Sequence, residues 1–383
     1  MARPIIVADA TAVDGAAVGP VQLHGACPYS RTGGGVKDEC STGLDAPWFA
    51  GDGQSGIPGQ TASWSGPLAA PIQFQEICAI PTLPGFSIVR NAVAHDGSLL
   101  FLFAEMSAAK SLFETYEEGI GVFPRTRAAA AARLCLVRVT PAASHTIELP
   151  ELDLTFPEVD VFPDGRVLVA GPRCEWRSDS DFDLNGAVVQ PATGQVARIL
   201  LGDGISAVQI DDLGRIWVGY LDEGVFGNFG WGSGSRPTPV GAAGLVCFSD
   251  AGEKLWEFPN NHSYSIADCY ALNVSGTNAI AFFYTKFPIC RIDRDFEVSF
   301  RTTNLAGCHT FAVSDTEALF SGQYGDPPDA AYLGRLSPGR LSDVRRLRML
   351  MPDGSARSGG RLVARGKALY HFDAERVCRF SLD

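Results

Sequence analysis

The residues of this chain best suited to chemistry fall where apolar strands begin or stop. The stretch GRIWVGYLDEGVFGNFGWG, residues 214–232, ends a clean apolar strand on an acidic pair, Asp222 and Glu223, and surrounds it with glycines and aromatics. Two carboxylates held together can grip a hard cation, share a proton or face a cationic ligand. Matching positions elsewhere add Arg90, Glu158, Asp268 with Cys269, and His309 at strand starts, and Arg173, Tyr324 and His371 after strand ends. Cys269 and His309 occupy equivalent places in successive repeats. Side by side they would make a reactive thiolate and imidazole, although a buried thiol near a hydrogen-bonded histidine is the simpler expectation.

Other chemical signals are weaker. DSDFDLNG, residues 179–186, sets Asp179, Asp181, Asp183 and Asn185 at alternate positions, as a calcium loop would. The twelfth position counted from Asp181 is Ala192, where an EF-hand needs a bidentate Glu, so an acidic turn is expected. There is no GxSxG, HxH or HExxH arrangement. The GGGV and GSGS runs do not join a strand to a helix, so they form no phosphate cradle. The ten cysteines include no CxxC pair and read as small buried hydrophobes in a reducing compartment. Cys27 and Cys40 are the one extra pair considered, and a bond between them is not expected.

Composition narrows the field. The 383 residues are 46% hydrophobic and 19% charged, enough apolar material for a large core. A net charge of −12 argues against a nucleic-acid partner, which would need a basic face. The Arg-rich run at 340–348 reads as a solvated strand face. No apolar run is long enough to span a bilayer, and the N-terminus lacks a compact secretory core, so neither a membrane partner nor export is expected. The expected location is cytoplasmic.

The elements that must position these groups repeat. AVAHDGSLLFLFA (92–104), VDVFPDGRVLVAG (159–171), VQIDDLGRIWVGY (208–220), ALNVSGTNAIAFFY (271–284), FAVSDTEALFSG (311–322) and LVARGKALYHF (362–372) each read as an apolar β-hairpin with a short turn. Most are followed by one or two further strands, at a period of roughly forty to seventy residues. The expectation is an all-β fold, a six-bladed β-propeller of four-stranded blades over residues 71–383. Its last blade has room for only three strands and would be closed by a strand from near residue 75, within IQFQEICAIP (72–81). The Ala-rich stretch 126–133 is the best helix candidate, inside a loop. Residues 1–70 break the repeat and read as a Gly-rich N-terminal arm or cap.

In such a ring, inner strands start and second strands end at one face. Arg90, Glu158, Ala207, Cys269, His309 and Gly359 therefore fall at matching inner-strand starts, and the acidic pair falls at the same mouth.

GRIWVG, and more closely 202–228, GLVCFSDAGEKLWEF (244–258) and DCYALNV (268–274), resemble a family of uncharacterised bacterial propeller proteins. More distantly the turn rhythm is similar to that of gluconolactonase-type and sensor-type propellers. The resemblance covers residues 71–383, implies the fold and transfers no catalytic residue. The gluconolactonase-type likeness implies a divalent cation, calcium first, that polarises a lactone carbonyl from between several blades. Glu158, Asp222 and Asp268 are its candidate ligands here, while Asn91 and Asn273 fall at other depths. The leading expectation is a propeller that binds a small molecule or protein at an acidic channel mouth. The alternative is a divalent-metal-dependent lactonase- or esterase-type hydrolase.

Overall fold

The computed structural model describes residues 68–118, 121–232, 234–259 and 263–383. The expected arm at 1–70 lies almost wholly outside them. From residue 86 onward, the strands of each blade pair antiparallel in chain order, joined by turns that several local hydrogen bonds close. Asp96, Asp164 and Asp211 accept the backbone N–H of Ser98, Arg166 and Leu213 at 3.0, 3.1 and 2.9 Å, which closes three of the inner hairpins.

Six large sheets result. Blade 1 is Phe86–Val93, Leu99–Glu105, Arg127–Val139 and Ser144–Leu154. Blade 2 is Glu158–Val161, Val167–Ala170, Gly186–Gln190 and Gln195–Ile199. Blade 3 is Ile205–Ile210, Ile216–Tyr220, Leu245–Phe248 and Lys254–Glu257. Blade 4 is Asp268–Ser275, Asn278–Tyr284, Ile289–Ile292 and Val298–Arg301. Blade 5 is Thr310–Val313, Glu317–Ser321, Ala330–Ser337 and Arg340–Leu350. Blade 6 is Arg361–Arg365, Ala368–Phe372 and Arg376–Ser381.

The core is six wedges rather than one centre. Each apolar cluster is shared by two adjacent blades, and the last joins Phe101 and Val137 of blade 1 to Tyr370 and Val377 of blade 6, which closes the ring. This is the six-bladed propeller that the hairpin count predicts. Gln75–Ala79 completes blade 6 by pairing antiparallel with Arg376–Ser381. The segment 72–81 does more than expected, since Ile72–Gln73 also adds a parallel fifth strand to blade 5, with Ile72 opposite Met349.

One expectation fails. The alanines at 126–133 do not form a helix; they belong to the 13-residue strand Arg127–Val139, which pairs with Ser144–Leu154. Alanine's helix propensity is small beside a sheet edge that pairs Arg127 with Leu154 and Ala132 with Leu152 and buries Ala128 and Ala132. The run at 340–348 is the expected solvated strand, with Arg346 on Asp326 at 3.0 Å and Arg348 on Asp329 at 2.5 Å. No helix among the described residues is long and apolar enough to cross a membrane.

Candidate functional site

Strand alternation decides what enters the channel. In Glu158–Val161 it puts Glu158 and Asp160 on one face, and in Arg361–Arg365 it does the same for Arg361 and Arg365. Near the face where inner strands begin, Glu158 accepts Arg90 Nε at 2.8 Å, pairs with a second Arg90 nitrogen, and has Arg361 Nη2 at 3.6 Å. Arg361 also donates to the Asn91 carbonyl at 2.6 Å. Deeper, Asp160 accepts the N–H of Val161 and of Ile210, each at 2.8 Å, and faces Arg365 Nη1 at 3.4 Å. Arg365 also donates to the Ile210 carbonyl. Gln209 and Asn273 reach neighbouring inner strands in the same way, Asn273 donating to the Phe311 and Gly366 carbonyls at 2.8 Å.

Burial governs the charges there. It raises the Asp160 carboxyl despite the pull of Arg365, lowers Arg361 to about 10, and with help from the Arg361 charge lowers Arg90 well below an ordinary guanidinium. Arg90 and Glu158 are thus brought together as expected, but they satisfy one another. Three arginines oppose two carboxylates, so the channel itself is not the acidic feature.

Acidity lies on the rim. Asp222 heads the one-turn helix Asp222–Phe226 that follows the second strand of blade 3, and its Oδ1 accepts the Glu223 N–H at 2.8 Å. The surrounding glycines allow loop to lie on loop: a Cβ at Gly204 would sit 2.3 Å from Gly224 N, and one at Gly224 would sit 2.4 Å from the Asp203 carbonyl. Glu223 is taken up by the buried Arg173, which also lies 3.7 Å from Asp203 and 4.8 Å from the Phe229 ring centre. Asp203 is pushed up to about 6, chiefly by burial.

Asp268 opens the inner strand of blade 4, opposite Tyr284. Its buried Oδ1 has no hydrogen-bond partner among the described residues, and burial first, then the Asp222 charge, push the carboxyl up to about 7. Neither Asp222 nor Asp268 takes part in an ion pair among the described residues. Beside them lies an aromatic group. Tyr270 and Tyr324 join hydroxyl to hydroxyl, with ring centres 6.0 Å apart at 89°. Phe287 stands 5.0 Å from Tyr270, 5.8 Å from Tyr284 and 6.3 Å from Tyr324. Burial, the partner hydroxyl and the Asp268 and Asp222 charges all raise the Tyr270 phenol. Gly307 leaves room for the Tyr324 ring, which a Cβ would meet at 2.6 Å.

The remaining candidates have structural roles. Cys269 is buried, its thiol pushed up to about 12 by burial and Asp268, with Sγ 3.9 Å from the Ala271 carbonyl and packed over Gly219. His309 sits instead over Gly322, Nδ1 3.2 Å from that carbonyl, and burial lowers its pKa. The two make no thiolate–imidazole pair. His371 is buried and accepts Arg357 Nε at 3.2 Å; burial and the Arg357 charge hold it neutral down to about 4. In DSDFDLNG, Asp181 and Asp183 are bound by Arg177 at 2.8 and 2.9 Å, and Asp183 also by Arg127, as an acidic turn requires. Glu158 belongs to the Arg90 and Arg361 group, whereas Asp222 and Asp268 interact with each other. Among the described residues no group of three His, Cys, Asp or Glu is placed to hold a metal ion.

Sequence reasoning missed Asp160, Arg361, Arg365, Tyr270 and Phe287. EVDV and RLVAR carried the signal for the first three, charges spaced by two and four within an inner strand. Tyr270 carried none, because it is the extra residue of a bulge between Cys269 and Ala271.

No family model matches the chain, and no curated protein sequence does. Among solved structures it is similar to virginiamycin B lyase from Staphylococcus aureus, at 10% identity and a TM-score of 0.42, over 81% of this chain and 99% of that one. It is also similar to the β-propeller domain of the Trilobed protease from Pyrococcus furiosus, at 10% identity and a TM-score of 0.38, over 78% and 83%. YCF48 bound to a D1 peptide gives 10% identity and a TM-score of 0.40, over 83% and 99%. The likeness is one of fold: these proteins, like this chain, are β-propellers.

Proposed function

We propose that this chain is a binding propeller whose ligand, a small molecule or a segment of another protein, sits on the acidic and aromatic rim of blades 3 to 5. The observation that carries the reading is the Asp268 carboxylate, which keeps one buried oxygen without a partner among the described residues, beside Asp222 and the Tyr270, Tyr284 and Tyr324 rings. A buried acceptor left unmatched costs about 1–3 kcal/mol, a penalty that a ligand donor would remove. Pockets that combine apolar walls with a few convergent polar groups are the usual form of a ligand site. The eight described cysteines form no disulfide, which supports a cytoplasmic setting for the proposal.

The metal-dependent hydrolase is the second reading, and only the Asp222 and Asp268 pair favours it. It needs at least one further oxygen ligand at the same point. Thermal unfolding with a small-molecule panel, and separately with calcium, magnesium, manganese and zinc, tests both. A ligand that binds only the folded chain at one hundred times its Kd raises stability by about 2.7 kcal/mol. The binding reading expects an organic ligand to raise the midpoint in the parent and not in Asp268→Asn. A midpoint raised by a divalent ion alone, and lost in the same variant, would replace it with the hydrolase reading.

A further inference from the structure

We infer that the rim of blades 3 to 5 recognises a small alkylammonium ligand, held between the Asp268 and Asp222 carboxylates and the faces and edges of Tyr270, Tyr284, Phe287 and Tyr324. The inference rests on the binding reading above and assigns its ligand class. The first argument is charge. Several other carboxylates are matched by a cation of the chain itself: Glu158 by Arg90, Glu223 by Arg173, Asp183 by Arg177. Among the described residues Asp222 and Asp268 are not, and the Asp222 charge raises the cost of ionising Asp268. Lys254, the nearest lysine to Asp268 along the chain, is paired with Glu257 at 2.8 Å, and Lys286 is turned to the Tyr264 ring, its Nζ 5.5 Å from the ring centre. A cation arriving from solution would satisfy both carboxylates.

The second argument is the aromatic wall. A ring's negative face attracts an ammonium group within about 6 Å of its centre, most strongly where water is excluded. Tyr324 and Tyr284 are 55% and 38% exposed, so these large rings are open to a ligand at the rim. They are also fixed in advance. Tyr324 lies against Gly307 and is tied to Tyr270, and Phe287 is buried between Tyr270 and Tyr284. Lys286 and Phe287 hold positive φ angles of 66° and 48°, a left-handed turn that ordinary side chains avoid, and this turn presents Phe287 to the other rings. Tyr270 is brought to them by the inner-strand bulge. Preordered rings lose little freedom on binding, which favours a small ligand. Carboxylates without a cation and aromatic rings without a stacking ligand have one chemistry in common, an ammonium group carrying a short alkyl chain.

The test is titration of the full chain, followed by NMR of its tyrosine rings, with butylammonium, with the neutral alcohol 1-pentanol and with butyrate. Butylammonium is expected to bind saturably and to shift the Tyr270 and Tyr324 signals. Asp222→Asn, at an exposed position where the amide oxygen can still accept the Glu223 N–H, and Asp268→Asn should each weaken it about tenfold. Pentanol and butyrate should leave the rings unchanged. Equal binding of pentanol, or butylammonium binding that survives both variants, overturns the ammonium assignment. If butyrate or pentanol shifts the rings and butylammonium does not, the assignment fails while the rim remains a binding site. If no probe shifts them, both readings fail. Blocked lysine, N-acetyl-lysine methylamide, separates the sources: tenfold tighter binding than butylammonium would assign the rim to a protein side chain and overturn a free amine as ligand.

Discussion

At Asp268 two influences act in the same direction, since burial and the Asp222 charge both favour the protonated form. Its folded pKa of about 7 stands above the ordinary aspartate value of about 3.9, so the folded chain holds a proton that the unfolded chain has released between those values. Stability contributed by this group is therefore present below about pH 4, falls as pH rises to about 7, and is flat above. His371 slopes the other way: held neutral to about 4 when folded, it loses stability as pH drops below its ordinary value. The wild-type profile mixes the two, and the comparison that isolates Asp268 is with Asp268→Asn. The variant's midpoint relative to wild type is expected to climb from pH 4 to pH 7 and then level off, followed by thermal denaturation in constant salt. A difference that does not change with pH would show that Asp268 titrates as an ordinary carboxyl. Residues of this kind were only half legible. Asp268 could be placed at the mouth by counting back from its turn. Whether it met a cation there could not, because the answer depends on where Arg173 and Lys286 turn.

Among the elements, strands with a strong two-residue rhythm and an Asp- or Gly-centred turn were legible: VDVFPDGRVLVAG folds as the paired strands Glu158–Val161 and Val167–Ala170. Two kinds of segment were not. Residues 126–133 have helical composition but lie against a sheet edge, so pairing with Ser144–Leu154 overrides local preference. Inner-strand bulges at 88/90, 205/207 and 269/271 shift register by one residue, and each exchanges the faces of the side chains beyond it. Turn counting therefore put strand starts in the right place and could not say which side chains faced the channel. The closing segment shows the balance between the two. Its presence near residue 75 was readable, but its division between blades 5 and 6 was not. Phe74, 1% exposed, sits at that division, in the apolar wedge with Met349, Leu369 and Cys378. Phe74→Ala is expected to cost about 3–5 kcal/mol by urea denaturation, since it removes an anchor shared by two blades. Ile77→Ala on the same segment, 42% exposed, is the control and should stay within about 0.5 kcal/mol of wild type.

The whole ring is held from outside by six apolar wedges and from inside by a polar tie across the channel. Asp160 of blade 2 accepts the Ile210 N–H of blade 3 and faces Arg365 of blade 6, and Arg365 returns a hydrogen bond to the Ile210 carbonyl. Asp160 and Arg365 are 3% and 6% exposed. Three blades that are not all neighbours are thereby fixed at one depth. A buried pair of this sort adds little compared with an apolar filling, but removing one partner leaves the other charge without water or counter-ion. Asp160→Asn should therefore lower the unfolding free energy by about 3–5 kcal/mol, while the double variant Asp160→Asn, Arg365→Met should recover part of that loss because no guanidinium remains to be buried. Because every blade shares a wedge with the next, the loss should appear as one shifted transition rather than as a blade melting early, with circular dichroism and tryptophan fluorescence coinciding. The double-mutant cycle in urea decides it. Additive single-variant losses would mean that the wedges alone hold the ring and that Asp160 and Arg365 are only neighbours. A restored double variant would establish that the channel charges act as a tie between blades.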